Sequence, residues 1–102
     1  MFEITKGKGF KMTFANGYTI SVQFGSMNYC SNRLSDLSVL PYLAEVSKVI
    51  HCCATAEVAV WSEDGKWATK EFFSDLNDNV AGYITPDEVA AVIAQVVNKN
   101  KN

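Results

Sequence analysis

The run from Gly9 to Gly25, GFKMTFANGYTISVQFG, constrains the fold more than any other part of the chain. Phe10, Met12, Phe14, Tyr18, Ile20, Val22 and Phe24 all fall at even positions, with Lys11, Thr13, Thr19, Ser21 and Gln23 between them. A period of two is that of a half-buried β-strand, and here it runs twice around a turn. Asn16-Gly17 invites a two-residue hairpin, but that register would set Phe14 opposite Thr19 and Phe10 opposite Gln23. A three-residue loop, Ala15-Asn16-Gly17, instead pairs Phe14 with Tyr18, Met12 with Ile20 and Phe10 with Val22. It needs positive φ at its third position, which Gly17 supplies. A slip of one residue turns every side chain to the wrong face, so the three-residue register is the one expected.

Phe2 and Ile4 continue the even-numbered face and predict a short first strand. Lys6-Gly7-Lys8-Gly9 is either a loop after it or a bulge within one longer strand. The alternation stops at Gly25, and Ser26 to Arg33, SMNYCSNR, reads as a polar loop. Val39, Leu43, Val46 and Ile50 then share a helical face. Pro41 is tolerated only in a first turn, so a short middle helix is expected from Leu40 to Val49.

Thr55 to Trp61, rich in small and β-branched residues, reads as a strand. Asp64-Gly65 repeats the earlier turn solution, which sets Trp61 opposite Trp67 and Val60 opposite Ala68. The tryptophans then occupy the face opposite Val58 and Val60. Near the C-terminus Thr85 is a helix cap, Pro86 suits the first helical position, and Glu88 completes a capping box. Ile84 and Val89 have the spacing of a hydrophobic staple, and Val89, Val92, Ile93, Val96 and Val97 form one apolar stripe. Asn98 to Asn102 is expected to be a flexible tail.

Two hairpins with apolar faces and a striped helix need one another for cover. The expectation is one α+β domain over 102 residues: an antiparallel sheet of two main hairpins, the C-terminal helix packed on one face, and the short middle helix. No apolar run approaches the roughly 18 residues a membrane span requires. The opening MFEITKGKGF lacks the charged-then-apolar order of a secretory signal, so a soluble, cytoplasmic protein is the default. The net charge of −2 argues neither for nor against nucleic acid. Glu63, Asp64, Glu71, Asp75, Asp78, Asp87 and Glu88 face only Lys66 and Lys70 in that part of the chain. Such asymmetry either steers a partner or is a solvated face.

Three cysteines, two of them adjacent, cannot build a disulfide framework. His51 beside Cys52 and Cys53, with Cys30 as a further ligand, suggests zinc, but structural sites space their paired ligands by two or more residues. Reduced, buried, small apolar thiols are the favoured reading, with no metal. Asp75, Asn77, Asn79, Gly82, Ile84 and Glu88 resemble a calcium-binding EF-hand loop, except that Val80 and Ala81 are inserted before the glycine and Glu88 is needed by the cap. Trp61 and Trp67 either stack a ligand or partner or form a covered cross-strand pair, and burial is favoured. His51 has no serine–acid arrangement around it, and Lys6-Gly7-Lys8-Gly9 is too short for a phosphate loop. Neither a catalytic residue nor a cofactor motif is recognised.

GF-x-M-TF-x-NG-Y-T-x-SVQFG, followed by Asn28-Tyr29-Cys30 and Asn32, resembles a pattern in small, mostly uncharacterised accessory proteins of tailed bacteriophages. Ala56 to Trp61 and Gly82 to Val89 are similar to later blocks of that pattern, whereas Leu34 to Ile50 does not fit it and has the look of an insertion. The resemblance implies a non-enzymatic accessory product acting in the host cytoplasm. Such products bind a host protein, nucleic acid or a small nucleotide-like ligand, and some counter host defences. The loop after the hairpin is where recognition is then expected, through Gln23, Asn28, Tyr29, Asn32 and Arg33, with Trp61 and Trp67 as a second place. Tyr29 would stack on a base and Arg33 would pair with a phosphate, unless Asn28 and Asn32 merely satisfy turn backbone. The alternatives are a structural or assembly component, a homo-oligomer among them, acting through a sheet edge or helix face, and thirdly a calcium-binding module.

Overall fold

The computed structural model describes residues 1–5, 8–33 and 52–100. Among them, five strands form one antiparallel sheet in chain order: β1 (Phe2–Ile4), β2 (Gly9–Thr13), β3 (Thr19–Gln23), β4 (Ala56–Trp61) and β5 (Ala81–Ile84). A single 3-10 turn (Thr69–Glu71) follows β4, and the helix α1 (Pro86–Val97) follows β5. The expected middle helix and the Lys6-Gly7 step lie outside the described residues.

The first hairpin has the three-residue register. Phe10 faces Val22 and Met12 faces Ile20, Phe14 N donates to Tyr18 O at 2.9 Å, and Gly17 has φ of +90°. Asn16 does more than turn the chain. Its Nδ2 donates to Val96 O and Lys99 O, both at 2.8 Å, and so ties the first hairpin to the end of α1, where Val96 O also accepts Lys99 N at 3.2 Å. The polar residues after α1 therefore begin in bonded positions, Asn98 Nδ2 reaching Ala94 O at 2.7 Å.

The second turn also closes as the sequence suggests. Ser62 N bonds Lys66 O, Gly65 has φ of +85°, Trp61 bridges Trp67, and Ala68 N bonds Val60 O. Its returning arm is no strand, however. Thr69 leaves the ladder and its hydroxyl fills the gap, accepting from Val60 N at 2.9 Å and donating to Asn79 O at 2.7 Å. The partner of β4 is β5, which the sequence reading missed. It pairs Ala56 with Ile84 and Val58 with Ala81, with a register shift between the two.

The even-numbered face carries the core. Ile20, Val22, Val58, Val60, Ala56 and Ile84, joined by Ala81 through the register shift, form one core cluster with Val92 and Val96 of α1. At roughly 25 cal/mol per Å² of apolar surface, that contact is worth several kcal/mol, the scale of a small domain's net stability. The capping box is complete, with Thr85 N donating to Glu88 Oε1 at 3.0 Å and Glu88 N to Thr85 Oγ1 at 3.3 Å. Val97 ends the stripe exposed, and Phe2 and Ile4 lie on the core face but beyond the helix, 73% and 86% exposed.

The central strand is not half-buried. Every residue of β3 is buried, Thr19, Ser21 and Gln23 included. A strand with two neighbours on each side is covered by their longer side chains on its polar face as well. Lys11 reaches over the Trp61 ring, 5.4 Å from its centroid, from a register position beside Ser21. Gln23 Nε2 donates to Ser21 Oγ at 3.0 Å and Thr5 Oγ1 at 3.2 Å, and Thr13 and Thr19 share a hydroxyl bond of 2.9 Å. Buried polar groups are tolerated when they are bonded in this way.

Candidate functional site

The loop after β3 is fastened from below by Glu57 of β4. The carboxylate accepts Asn28 Nδ2 at 3.1 Å on one oxygen and Tyr29 N at 2.8 Å on the other. Asn28 Oδ1 in turn accepts Gly25 N at 2.8 Å. Ser31 N and Oγ meet Thr55 Oγ1 at 2.9 and 2.7 Å, and Asn32 Nδ2 donates to Cys52 O at 3.2 Å. Apart from the Gly25–Asn28 bond, which closes the loop on itself, each of these bonds ties the loop to β4 or to the chain entering it. Loops held by charge-assisted and backbone bonds present side chains with little freedom left to lose on binding.

Upon that base stand Met27, Tyr29 and Arg33. The guanidinium lies 4.3 Å over the Tyr29 ring, and Nη1 donates to Met27 O at 2.8 Å. One more residue joins them from β5. Tyr83 N donates to Tyr29 O at 2.9 Å, and Tyr83 adopts φ of +58°. A bulky side chain in that region is strained by about 1–3 kcal/mol and persists only where surrounding structure holds it. Gly82 makes the junction possible, because a Cβ there would stand 2.8 Å from Tyr29 Cβ. Met27, Tyr29 and Tyr83 remain 52%, 42% and 54% exposed.

The expected site residues therefore divide. Tyr29 and Arg33 come together at the surface. Gln23 does not join them, since it is buried and its amide is spent within the sheet. Asn28 and Asn32 are the loop's fastenings. Trp61 and Trp67 lie about 13 Å further along β4, at roughly 3.3 Å per residue from Glu57. Their rings meet edge to face, 5.7 Å apart at 81°. Burial of this pair was expected; Trp61 is half-buried, but Trp67 is 54% exposed on the rim of a cavity of about 510 Å³ with Glu63, Asp64, Lys66 and Glu71. Tyr83 was missed altogether. The alternation that announces β2 and β3 is broken in Ala81-Gly82-Tyr83-Ile84 by the positive φ, so the remaining signal was only an aromatic and a β-branched residue ahead of a helix cap.

The thiols separate as well. Cys30 is buried, its Sγ 3.4 Å from Gly25 O, and burial pushes its pKa up, with Cys53 and Glu57 adding to the effect. Cys53 is half-buried and bonds Thr55 O at 3.0 Å, while Cys52, expected buried, is exposed. His51 lies outside the described residues, and among those described no cluster of three or more histidine, cysteine or acidic residues is placed to hold a metal. The calcium-like stretch has other work. Ala81–Ile84 is a strand, and Glu88 is held below the usual carboxylate range by the bonds it accepts from Thr85 backbone and side chain.

Comparisons with protein-family models, with curated proteins and with solved structures found no match. The class defined so far is an α+β domain with a five-stranded antiparallel meander, one helix on its core face, and a fastened aromatic–arginine loop. No helix among the described residues is long and apolar enough to cross a membrane.

Proposed function

We propose that this chain is a small non-enzymatic binding protein that engages a protein partner through Met27, Tyr29, Arg33 and Tyr83. The observation that carries the reading is Tyr83, a large, exposed aromatic residue kept in a strained conformation and bonded through its backbone to Tyr29, over which Arg33 lies. With more than half of the residue in solvent, little packing offsets that strain, and strained residues concentrate at functional sites. Tyrosine, arginine and methionine are also the types enriched where proteins meet. A protein surface suits the site better than a nucleotide-like ligand does. Sites for small ligands are concave, whereas these side chains stand out from the surface. Arg33, the sole arginine, favours a carboxylate on the partner. The resemblance to accessory products of tailed phages makes a host factor in the cytoplasm the natural partner, with counter-defence as the outcome.

The test is affinity capture from host lysate by the wild type and by Arg33→Ala/Tyr83→Ala, with mass spectrometry of what is retained. The expected result is a partner captured by the wild type and by Trp67→Ala, and lost in the double variant without loss of thermal stability. Retention by the double variant would contradict the proposal. A nucleotide-sized adduct on the wild type, seen by native mass spectrometry and absent from the double variant, would transfer the same surface to the small-ligand reading.

A further inference from the structure

The first strand presents an edge that nothing among the described residues pairs. Met1 and Thr13 exchange backbone bonds at 2.9 and 2.8 Å, and Thr5 N donates to Gly9 O at 3.0 Å. In an antiparallel ladder bonded residues alternate, so Met1, Glu3 and Thr5 turn their N–H and C=O groups inward to β2. Phe2 and Ile4 turn theirs outward. The same two residues carry exposed apolar side chains on the core face, next to Met12 and Phe10 in the register. Open edges are usually blunted, because they are templates for another strand.

Charge decides which strand fits. Glu3 is the single charged residue of β1 and lies on the opposite face, cross-strand from Lys11. That lysine directs its ammonium over Trp61 instead, 5.4 Å from the ring centroid, and Glu3 has no ion pair among the described residues. A second copy added antiparallel about the two-fold through Glu3 would pair Phe2 with Ile4 well, but would set two Glu3 carboxylates directly opposite, an unfavourable arrangement. We propose that β1 takes on an extended strand from another protein with the pattern apolar–basic–apolar. Its backbone bonds Phe2 and Ile4, its apolar residues extend the core face over them, and its lysine or arginine meets Glu3. This surface is separate from the Tyr29–Arg33–Tyr83 site, and its failure would leave that site untouched.

The experiment is a titration of the isotope-labelled protein with two short capped peptides, Thr-Val-Lys-Val-Thr and Thr-Val-Glu-Val-Thr, followed by amide chemical shifts. The lysine peptide is expected to shift the amides of Phe2, Glu3 and Ile4, with a Kd of about 1 mM. The glutamate peptide should bind at least about tenfold more weakly, an energy difference of about 1.4 kcal/mol. Glu3→Lys should reverse the order of the two. Ile4→Pro, tolerated on an edge because the N–H it removes faces outward, should lose binding while the remaining spectrum stays that of the folded chain. No shift with either peptide, equal binding of both, or shifts away from β1 would overturn the proposal. So would concentration-dependent self-association through the same amides.

Discussion

Gly17 and Gly65 occupy the same place in two turns of the same design, yet their surroundings differ. Both have φ near that of left-handed helix, +90° and +85°, where any Cβ is strained. At Gly65 a Cβ would meet nothing within 4 Å, whereas at Gly17 it would stand 2.8 Å from the Cβ and Oε2 of Glu63. Gly65→Ala is therefore expected to cost about 1 kcal/mol, the backbone penalty alone. Gly17→Ala should cost more, because the two hairpin loops must also part. Denaturant midpoints for the pair check this directly; equal losses would mean that Glu63 yields freely. The sequence contains the turn chemistry in full, since Asn-Gly and Asp-Gly announce it. It holds no sign that the loops touch, because that contact joins residues far apart in the chain.

Among the elements, α1 is the most legible from sequence and β5 the least, for one physical reason. A cap, a proline at the first turn and a stripe are local signals, and local signals survive in a single sequence. β5 exists because β4 needs a neighbour, and in its four residues only Tyr83 and Ile84 favour a strand, with no alternation to extend the signal. Edge and centre are invisible in the same way. Alternation reports which face a residue takes, but not how many neighbours its strand has. Phe2 and Ile4 therefore share the pattern of Ile20 and Val22 while standing in solvent.

The cap of α1 also sets a pH dependence. Glu88 is ionised more readily in the folded chain than in the unfolded one, because Thr85 donates to it twice. A depressed carboxylate pKa stabilises above the unfolded value, about 4.3, and that contribution is lost as the pH falls through the folded one. Asp64, held down by Ser62 and Lys66, acts in the same direction. Glu88→Gln should thus flatten the acid limb of the stability curve below about pH 4.3, with the share of Asp64 remaining. Thr85→Ala should flatten it similarly and cost about 1 kcal/mol at neutral pH through the lost cap. Curves for Glu88→Gln and wild type that run parallel through the acid range would contradict this assignment.

In the molecule as a whole, one sheet face is spent on stability and the other on holding a loop. The core face is closed by α1, and Asn16 bonds the first hairpin to the end of that helix. On the polar face Glu57 carries no core packing, but fixes Asn28 and Tyr29, and Tyr29 in turn meets the Arg33 guanidinium and the backbone of Tyr83. Tyr29 and Arg33 stand out as candidates in the sequence because a polar loop with an aromatic and the sole arginine follows a strongly specified strand, and the structure brings the two together. Gln23 was misread because a polar residue on a central strand looks, in sequence, like one facing water.

The proposed site requires that Tyr83 be kept for recognition at the expense of the fold. The measurement that tests it most directly is the unfolding free energy of Tyr83→Gly, taken beside Arg33→Ala. Glycine adopts φ of +58° without a Cβ penalty, and the lost ring is more than half exposed. Tyr83→Gly is expected to be as stable as the wild type or more so, by up to about 1 kcal/mol, and Arg33→Ala to change stability by less than about 0.5 kcal/mol. A loss of more than about 1 kcal/mol in Tyr83→Gly would make the tyrosine a structural residue and contradict the proposed site.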